Sequence, residues 1–159
     1  MDDGSGVDGA HSGSKPALLV SACLLGVRCN HVGAANTSDA VLALASDHRL
    51  VAVCPESVGG LSTPRPAAEL CADHRVRTAD GTDVTEWYER GAAHALDLAR
   101  ATGAARAVLK ARSPSCGCRE TYDGTFTRTR IERDGVTAAT LRRAGIEVVS
   151  EEDVERAGG

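Results

Sequence analysis

Three of the six cysteines stand where a parallel sheet would bring them together: Cys23, Cys54 and Cys116. Each one ends or closely follows a short apolar run of the kind that forms a buried strand. Because the carboxyl ends of parallel strands share the edge at which open α/β folds bind ligands, we expect the three thiols to converge there. Three soft thiolates with one open position suit a [4Fe-4S] cluster with one iron free for substrate, and equally a catalytic zinc with a bound water.

Polar residues accompany two of these cysteines. Glu56 follows Cys54 by two residues, and the intervening Pro55 fixes the local φ so that the carboxylate is held in place. Residues 113–117 (SPSCG) form a compact polar loop whose backbone N–H groups could hydrogen-bond cluster sulfurs. Taken alone, Glu56 is better explained as a solvated loop carboxylate or as a partner of Arg65. Ser113, at the start of the loop, would be an ordinary turn residue.

The other cysteines and the histidines are not assigned as ligands. Cys116 and Cys118 form a C-x-C pair, which cannot easily offer both thiols to one tetrahedral ion. Cys29 stays unassigned, and Cys71 is interpreted as a helix residue that packs. Among the five histidines, only His31 falls near a candidate site loop.

Three basic residues would be candidates to meet an anionic group if the substrate were a nucleotide: Arg65, Lys110 and Arg112. Isolated basic residues usually lie on a solvated face, so the sequence leaves this question open.

The elements that must position these residues alternate along the chain. Apolar runs predict strands over residues 17–21, 50–54, 105–109 and 146–150, and helical spacing predicts helices near residues 38–48, 86–102 and 136–144. A short extra strand at 75–78 and a hairpin-like excursion over 119–133 complete the pattern. Such alternation predicts an α/β fold, here a single three-layer domain with a mainly parallel, Rossmann-like sheet.

Length and composition suit one domain of 159 residues. We expect residues 1–15 to form a disordered N-terminal tail, residues 16–155 to form the α/β domain, and the end of the chain to fray from about Glu155. The net charge of -4 argues against a dedicated nucleic-acid surface. The polar start lacks a secretory signal, and no apolar run approaches the ~20 residues of a membrane span. A cytoplasmic location is expected, where cysteines serve metal binding or catalysis before disulfides.

A family resemblance narrows these alternatives. The following stretches occur in order: SACLLG, VCPESVGGLSTPRPAAEL, GTDVTEWYERGAAHAL, LKARSPSCG, YDGTF and DGVTAATLRRAGIEVVSEED. Together they resemble a bacterial family, long classed as a domain of unknown function, whose characterised members are thiouracil desulfidases. The likeness runs from about residue 17 to residue 153.

The resemblance implies a [4Fe-4S] cluster held by Cys23, Cys54 and Cys116. It also implies catalytic roles for Glu56 in the CPE motif and Ser113 in the SPSC motif. The implied reaction removes sulfur without redox change from a small thiolated uracil, as base or nucleotide, giving uracil and sulfide. The sequence leaves the oligomeric state open.

Two departures from the family pattern bear on specificity. Residues 29–33 read C-N-H-V-G where the family usually has C-R-Y-D-G, and Cys118 replaces a small non-cysteine residue. If the first of these loops lines the substrate pocket, a different thiolated substrate is expected.

Two other functions compete with desulfuration. A zinc-dependent, deaminase-like hydrolase would pair thiol-bound zinc with Glu56, although the H-x-E and P-C-x-x-C signature is missing. A non-enzymatic iron–sulfur sensor or scaffold would want every ligand position filled, so Cys29 or Cys118 would have to serve as a fourth ligand.

Overall fold

The computed structural model describes residues 14–158, and a four-stranded parallel sheet lies at its centre. The strands are β1 (Ala17–Ser21), β2 (Arg49–Val53), β3 (Ala68–Leu70), β4 (Val76–Thr78), β5 (Arg106–Leu109), β6 (Thr121–Tyr122), β7 (Arg130–Ile131) and β8 (Glu147–Ser150). The helices are α1 (Asp39–Leu42), α2 (Pro55–Val58), α3 (Thr85–Thr102), α4 (Val136–Arg143) and α5 (Glu151–Gly158), with 3₁₀ turns at Ala22–Leu25 and Ala43–Ser46. The central sheet has the order β2-β1-β5-β8, and β3-β4 and β6-β7 form two small antiparallel pairs.

Helices cover both faces of the central sheet, as the predicted three-layer α/β class requires. Strand β1 is buried along its whole length because it lies inside the sheet. Alternate side chains of β1 face opposite layers: Leu19 packs with residues of α3 and α4, such as Ala95 and Leu141. Leu18 on the other face packs with Val41 of α1. The predicted core strands are all present, each within one residue of its expected bounds.

Several elements differ from the sequence prediction. The helix expected over residues 38–48 is shorter, since a 3₁₀ turn follows α1, but Ser38 is its N-cap as predicted, with Oγ accepting from the backbone N–H of Val41 at 3.3 Å. The short strand at 75–78 is present, and it pairs with the unpredicted strand β3. The interpretation of Cys71 as a helix residue is wrong. Its N–H donates to the carbonyl of Arg75 at 2.8 Å in the turn after β3, because pairing with β4 overrides the helical propensity of the preceding residues.

The two ends of the chain also bear on the predicted domain bounds. The expectation that the chain frays from about Glu155 is wrong, because an unpredicted helix, α5, covers Glu151–Gly158. Its start is stabilised by reciprocal bonds: the Ser150 hydroxyl accepts from the Asp153 N–H at 3.2 Å, and the Asp153 carboxylate accepts from the Ser150 N–H at 2.9 Å. The predicted N-terminal tail lies outside the described residues apart from positions 14 and 15. Within residues 14–158, no helix is long and apolar enough to cross a membrane.

Candidate functional site

A cavity of about 510 Å³ opens at the carboxyl ends of β1, β2 and β5. The predicted site residues all line it: Cys23, Cys54, Glu56, Ser113 and Cys116. Three connections after three neighbouring strands therefore deliver their thiols to one place, as expected for the carboxyl edge of a parallel sheet.

Cys23 lies on the 3₁₀ turn that follows β1, and its side chain is buried. Burial raises the pKa of the Cys23 thiol, the Asn36 side chain opposes this by hydrogen bonding to the sulfur, and the nearby Cys54 raises it further. The backbone N–H of Asn36 also donates to the Cys23 carbonyl at 2.9 Å, which ties the loop before α1 to the cysteine turn.

Cys116 lies in a loop that is ordered by Ser113. The Ser113 hydroxyl oxygen accepts hydrogen bonds from the backbone N–H groups of Ser115 at 3.0 Å and Cys116 at 2.9 Å. The loop also caps α4, since the carbonyl of Ser115 accepts from the N–H of Thr137 at 2.8 Å. This close approach requires glycine at residue 135, where a Cβ atom would lie 2.6 Å from the Ser115 carbonyl oxygen.

Cys116 is only 4% exposed, and its sulfur receives a hydrogen bond from the Ser21 hydroxyl at 3.2 Å. Burial raises the pKa of Cys116 to about 12; the Ser21 bond lowers it, and negative charge on Cys23, Glu56 and Cys54 raises it. The thiols therefore lie close enough to repel one another as thiolates, and a bound cation would relieve that repulsion.

Cys54 links the end of β2 to α2 and lies beside a fourth thiol. Its Sγ is 3.7 Å from the carbonyl oxygen of Cys29, toward which the thiol donates. Burial raises the pKa of Cys29 to about 12, with the charge and hydrogen bonding of Cys54 adding to the effect. Cys29, which the sequence left unassigned, thus lines the cavity in contact with a predicted ligand.

Glu56 lies in the first turn of α2 and pairs with Arg65 at the cavity wall. The Arg65 Nε donates to Glu56 Oε1 at 2.7 Å, and the two side chains are 5% and 14% exposed, respectively. Tyr88 also hydrogen-bonds to Glu56; burial raises the pKa of Tyr88 above its usual range, with the charge of Glu56 adding to the effect. The pairing with Arg65 that the sequence offered as an alternative is therefore present, and the same carboxylate faces the cavity.

Helix α2 reaches this position because α3 lets it approach closely. A Cβ atom at Gly91 would lie 1.9 Å from the carbonyl oxygen of Pro55, so only glycine fits there. The same Arg65 guanidinium that pairs with Glu56 also donates to the Cys29 carbonyl at 2.8 Å, so Arg65 links the loop at Cys29 to α2.

The other candidate residues that line the cavity are three basic residues and one histidine. Arg65, Lys110 and Arg112 line the cavity, but each pairs with a carboxylate: Lys110 with Glu151 at 3.1 Å and Arg112 with Glu152 at 2.7 Å. His31 also lines the cavity.

Cys118 does not line this cavity and lies on another side of its loop. Its thiol donates to the carbonyl of Val148 at 3.2 Å.

The donor set fits a cluster with three thiolate ligands. As the side chains stand, no group of three or more His, Cys, Asp or Glu residues within positions 14–158 could hold a metal ion, so the three thiols do not meet at one point. A [4Fe-4S] core is wider than a single ion and receives each thiolate on a different iron. Soft thiolates around a shared cavity, with polar groups on the remaining wall, match that requirement.

Sequence reasoning missed Ser21 and Asn36. Both residues contact predicted ligand thiols through side chains that no periodicity or motif spacing singles out. Ser21 directly precedes the first cysteine turn, which was the available signal, whereas Asn36 reaches Cys23 only through the fold of the loop before α1.

A model of the 2-thiouracil desulfurase family matches residues 18–153. The chain belongs to this family. Among curated proteins it is similar to the uncharacterised protein YbbK of Bacillus subtilis (strain 168), with 40% identity over 146 residues, which is 86% of this chain and 97% of that protein. Among solved structures it is similar to the [4Fe-4S]-dependent thiouracil desulfidase TudS (DUF523Vcz), with 43% identity and a TM-score of 0.83 over 89% of this chain and 95% of that one. The family resemblance and the α/β class expected from the sequence are confirmed.

Proposed function

We propose that this chain is a [4Fe-4S]-dependent desulfidase that converts a thiolated uracil to uracil and sulfide. The observation that carries the proposal is the convergence of Cys23, Cys54 and Cys116 on one cavity, together with Glu56 and Ser113. Membership of the 2-thiouracil desulfurase family and the likeness to TudS support it.

The three cysteine thiolates would hold the cluster and leave one iron without a protein ligand. When bound, the cluster supplies a Lewis acid that draws electron density from the thiocarbonyl sulfur and makes the adjacent carbon electrophilic.

Glu56 serves as the general base in this proposal. Its carboxylate takes one proton from the water whose oxygen adds to the C=S carbon. The remaining hydroxyl proton passes to the sulfur as the C=O bond forms and the C–S bond breaks, so the sulfur leaves as hydrosulfide and Glu56 releases its proton to solvent. No electrons are gained or lost overall. The ion pair with Arg65 fixes the direction of the Glu56 carboxylate, so its oxygens keep one orientation toward the bound substrate.

Ser113 acts as a donor toward the cavity. Its oxygen already accepts two backbone N–H groups, so the hydroxyl hydrogen is what it can offer. That hydrogen would orient the attacking water or bond to Glu56, while the same oxygen keeps the Cys116 loop in place.

The alternatives are less well supported. A zinc-dependent, deaminase-like hydrolase lacks its signature motif, and the chain belongs to a family described as desulfurases. A sensor or scaffold would require a fourth thiolate. Cys29 lies in the cavity and Cys118 does not, so Cys29 is the residue to test for that role.

An anaerobic assay of the reconstituted protein tests the function directly. We expect one sulfide and one uracil product per thiolated substrate without added reductant, using 2-thiouracil, 4-thiouracil and their nucleotides to define the substrate. Anaerobically purified protein that contains zinc but neither iron nor acid-labile sulfide would contradict the proposal. A cytoplasmic location is part of the same proposal.

A further inference from the structure

The Ser21 hydroxyl has its direction fixed by the backbone. Ser21 ends β1 and is 2% exposed. Its oxygen accepts a hydrogen bond at 2.9 Å from the backbone N–H of Lys110, the residue that follows β5. The hydrogen of the Ser21 hydroxyl must therefore point to a different acceptor. That acceptor is Cys116 Sγ at 3.2 Å. The contact is therefore held by the pairing of two central strands, not by the chance rotamer of a surface residue.

A second neutral donor serves Cys23. The Asn36 side chain lines the same cavity and lowers the pKa of the Cys23 thiol, as a hydrogen-bond donor beside the sulfur does. Its backbone N–H donates to the Cys23 carbonyl, so one residue contacts both the main chain and the thiol of the cysteine turn. The two donors come from separate parts of the chain and reach two different thiols.

We propose that Ser21 and Asn36 are positioning residues that tune the cluster through hydrogen bonds to the ligand thiolates of Cys116 and Cys23. The inference rests on the ligand set of the proposed function. A hydrogen bond withdraws electron density from a thiolate, so less charge reaches the iron. The cluster then has a higher reduction potential and a more acidic open iron than it would have with bare thiolates.

Neutral donors suit a non-redox reaction of this kind. They weaken electron donation from the thiolate sulfur to iron, and they add no cation that would compete with the cluster for the thiolate. Burial of Ser21 keeps water from replacing its hydroxyl as the donor.

The test compares Ser21→Ala with Ser115→Ala in cluster-loaded protein. Ser115 is the matched control, because it is equally buried in the Cys116 loop but its hydroxyl bonds to Thr137 at 2.8 Å. In Ser21→Ala we expect a lower reduction potential, a higher Fe–S(Cys) stretching frequency, and loss of one exchangeable proton coupled to the reduced cluster. Ser115→Ala should keep the wild-type values for all three.

Asn36→Ala provides a second, independent variant, because Ser21→Ala also leaves the Lys110 N–H without its acceptor. It should lower the potential and remove a different exchangeable proton. If both variants load a cluster with an unchanged potential and unchanged proton couplings, the inference is overturned while the proposed function stands. Wild-type protein that assembles no cluster would instead overturn the proposed function.

Discussion

Cys116 and Cys118 are two residues apart in one loop, and the structure gives them different surroundings. Cys116 faces the cavity, where neutral polar groups such as the Ser21 hydroxyl reach its sulfur. Cys118 lies away from the cavity, where its thiol donates to Val148 and the guanidinium groups of Arg119 and Arg142 donate to it at 3.2 and 3.4 Å.

The difference teaches that exposure and residue type do not identify a ligand. Both thiols are buried, and burial is the main cause that raises the pKa of each. The two thiols differ in direction. Gly117 is the single residue between the two cysteines, and the turn there points the Cys116 thiol toward the sheet edge and the Cys118 thiol toward β8. A Cβ atom at Gly117 would lie 2.6 Å from the Glu120 carbonyl oxygen, so the turn itself depends on glycine.

The largest expected effect comes from replacing a cysteine that lines the cavity. Cys116→Ser, like Cys23→Ser and Cys54→Ser, should abolish the broad visible absorbance of the cluster, since a hydroxyl is a poor replacement for a soft thiolate. Absorbance and iron content of anaerobically purified protein measure this. Cys71→Ser is the control and should keep the cluster, because Cys71 lies outside the cavity. If Cys71→Ser bleaches the protein while Cys116→Ser does not, the ligand set is wrong.

Glu56→Gln should reduce turnover by roughly 10²–10⁴, the usual contribution of a positioned general base. The amide keeps the shape of the side chain but cannot take up the proton, so only turnover should fall. Cluster content should not change, because Glu56 is not one of the proposed cluster ligands. Steady-state kinetics with an iron assay separates these effects. The control is Glu86→Gln, since Glu86 pairs with Arg90 at 2.7 Å on the exposed face of α3 and should turn over normally. Loss of the cluster in Glu56→Gln would make Glu56 structural, and near-normal turnover would remove it from the mechanism.

Gly91→Ala should disturb the cavity wall from outside. The added methyl group would collide with the Pro55 carbonyl and push α2, with its Glu56, away from α3. We expect a loss of about 1–3 kcal/mol in the free energy of unfolding, typical of overpacking, together with lower turnover. Chemical denaturation measures the first quantity. Gly158→Ala in α5 is the control, since its added Cβ meets open space, and a destabilisation of the same size there would argue against steric collision as the cause.

The smallest effect is expected on the side of the loop that faces away from the cavity. Cys118→Ala should lower the free energy of unfolding by about 1 kcal/mol, because it removes a packed sulfur and its contact with Val148. Cluster content and turnover should remain at wild-type levels. A bleached Cys118→Ala protein would contradict the assignment of the two thiols to different environments.

Much of the site was accessible from the sequence because strand ends and cysteines coincide. Apolar runs placed Cys23, Cys54 and Cys116 at one edge of a parallel sheet, and the short link through Pro55 kept Glu56 near Cys54. Sequence reasoning did not find β3 or α5, because β3 depends on pairing with β4 and the start of α5 depends on a local capping contact between Ser150 and Asp153.

The amino-acid sequence by itself determined the alternation of strands and helices, and with it the edge at which the candidate ligands gather. Hydrophobic periodicity is local, so it can be read without knowing the fold. Only the tertiary structure decided which polar groups meet those thiols. The contact from Ser21 to Cys116 joins residues 95 positions apart, and it exists because β1 and β5 are neighbours in the sheet. Hydrogen bonds depend on atomic distance and direction, which chain spacing does not specify.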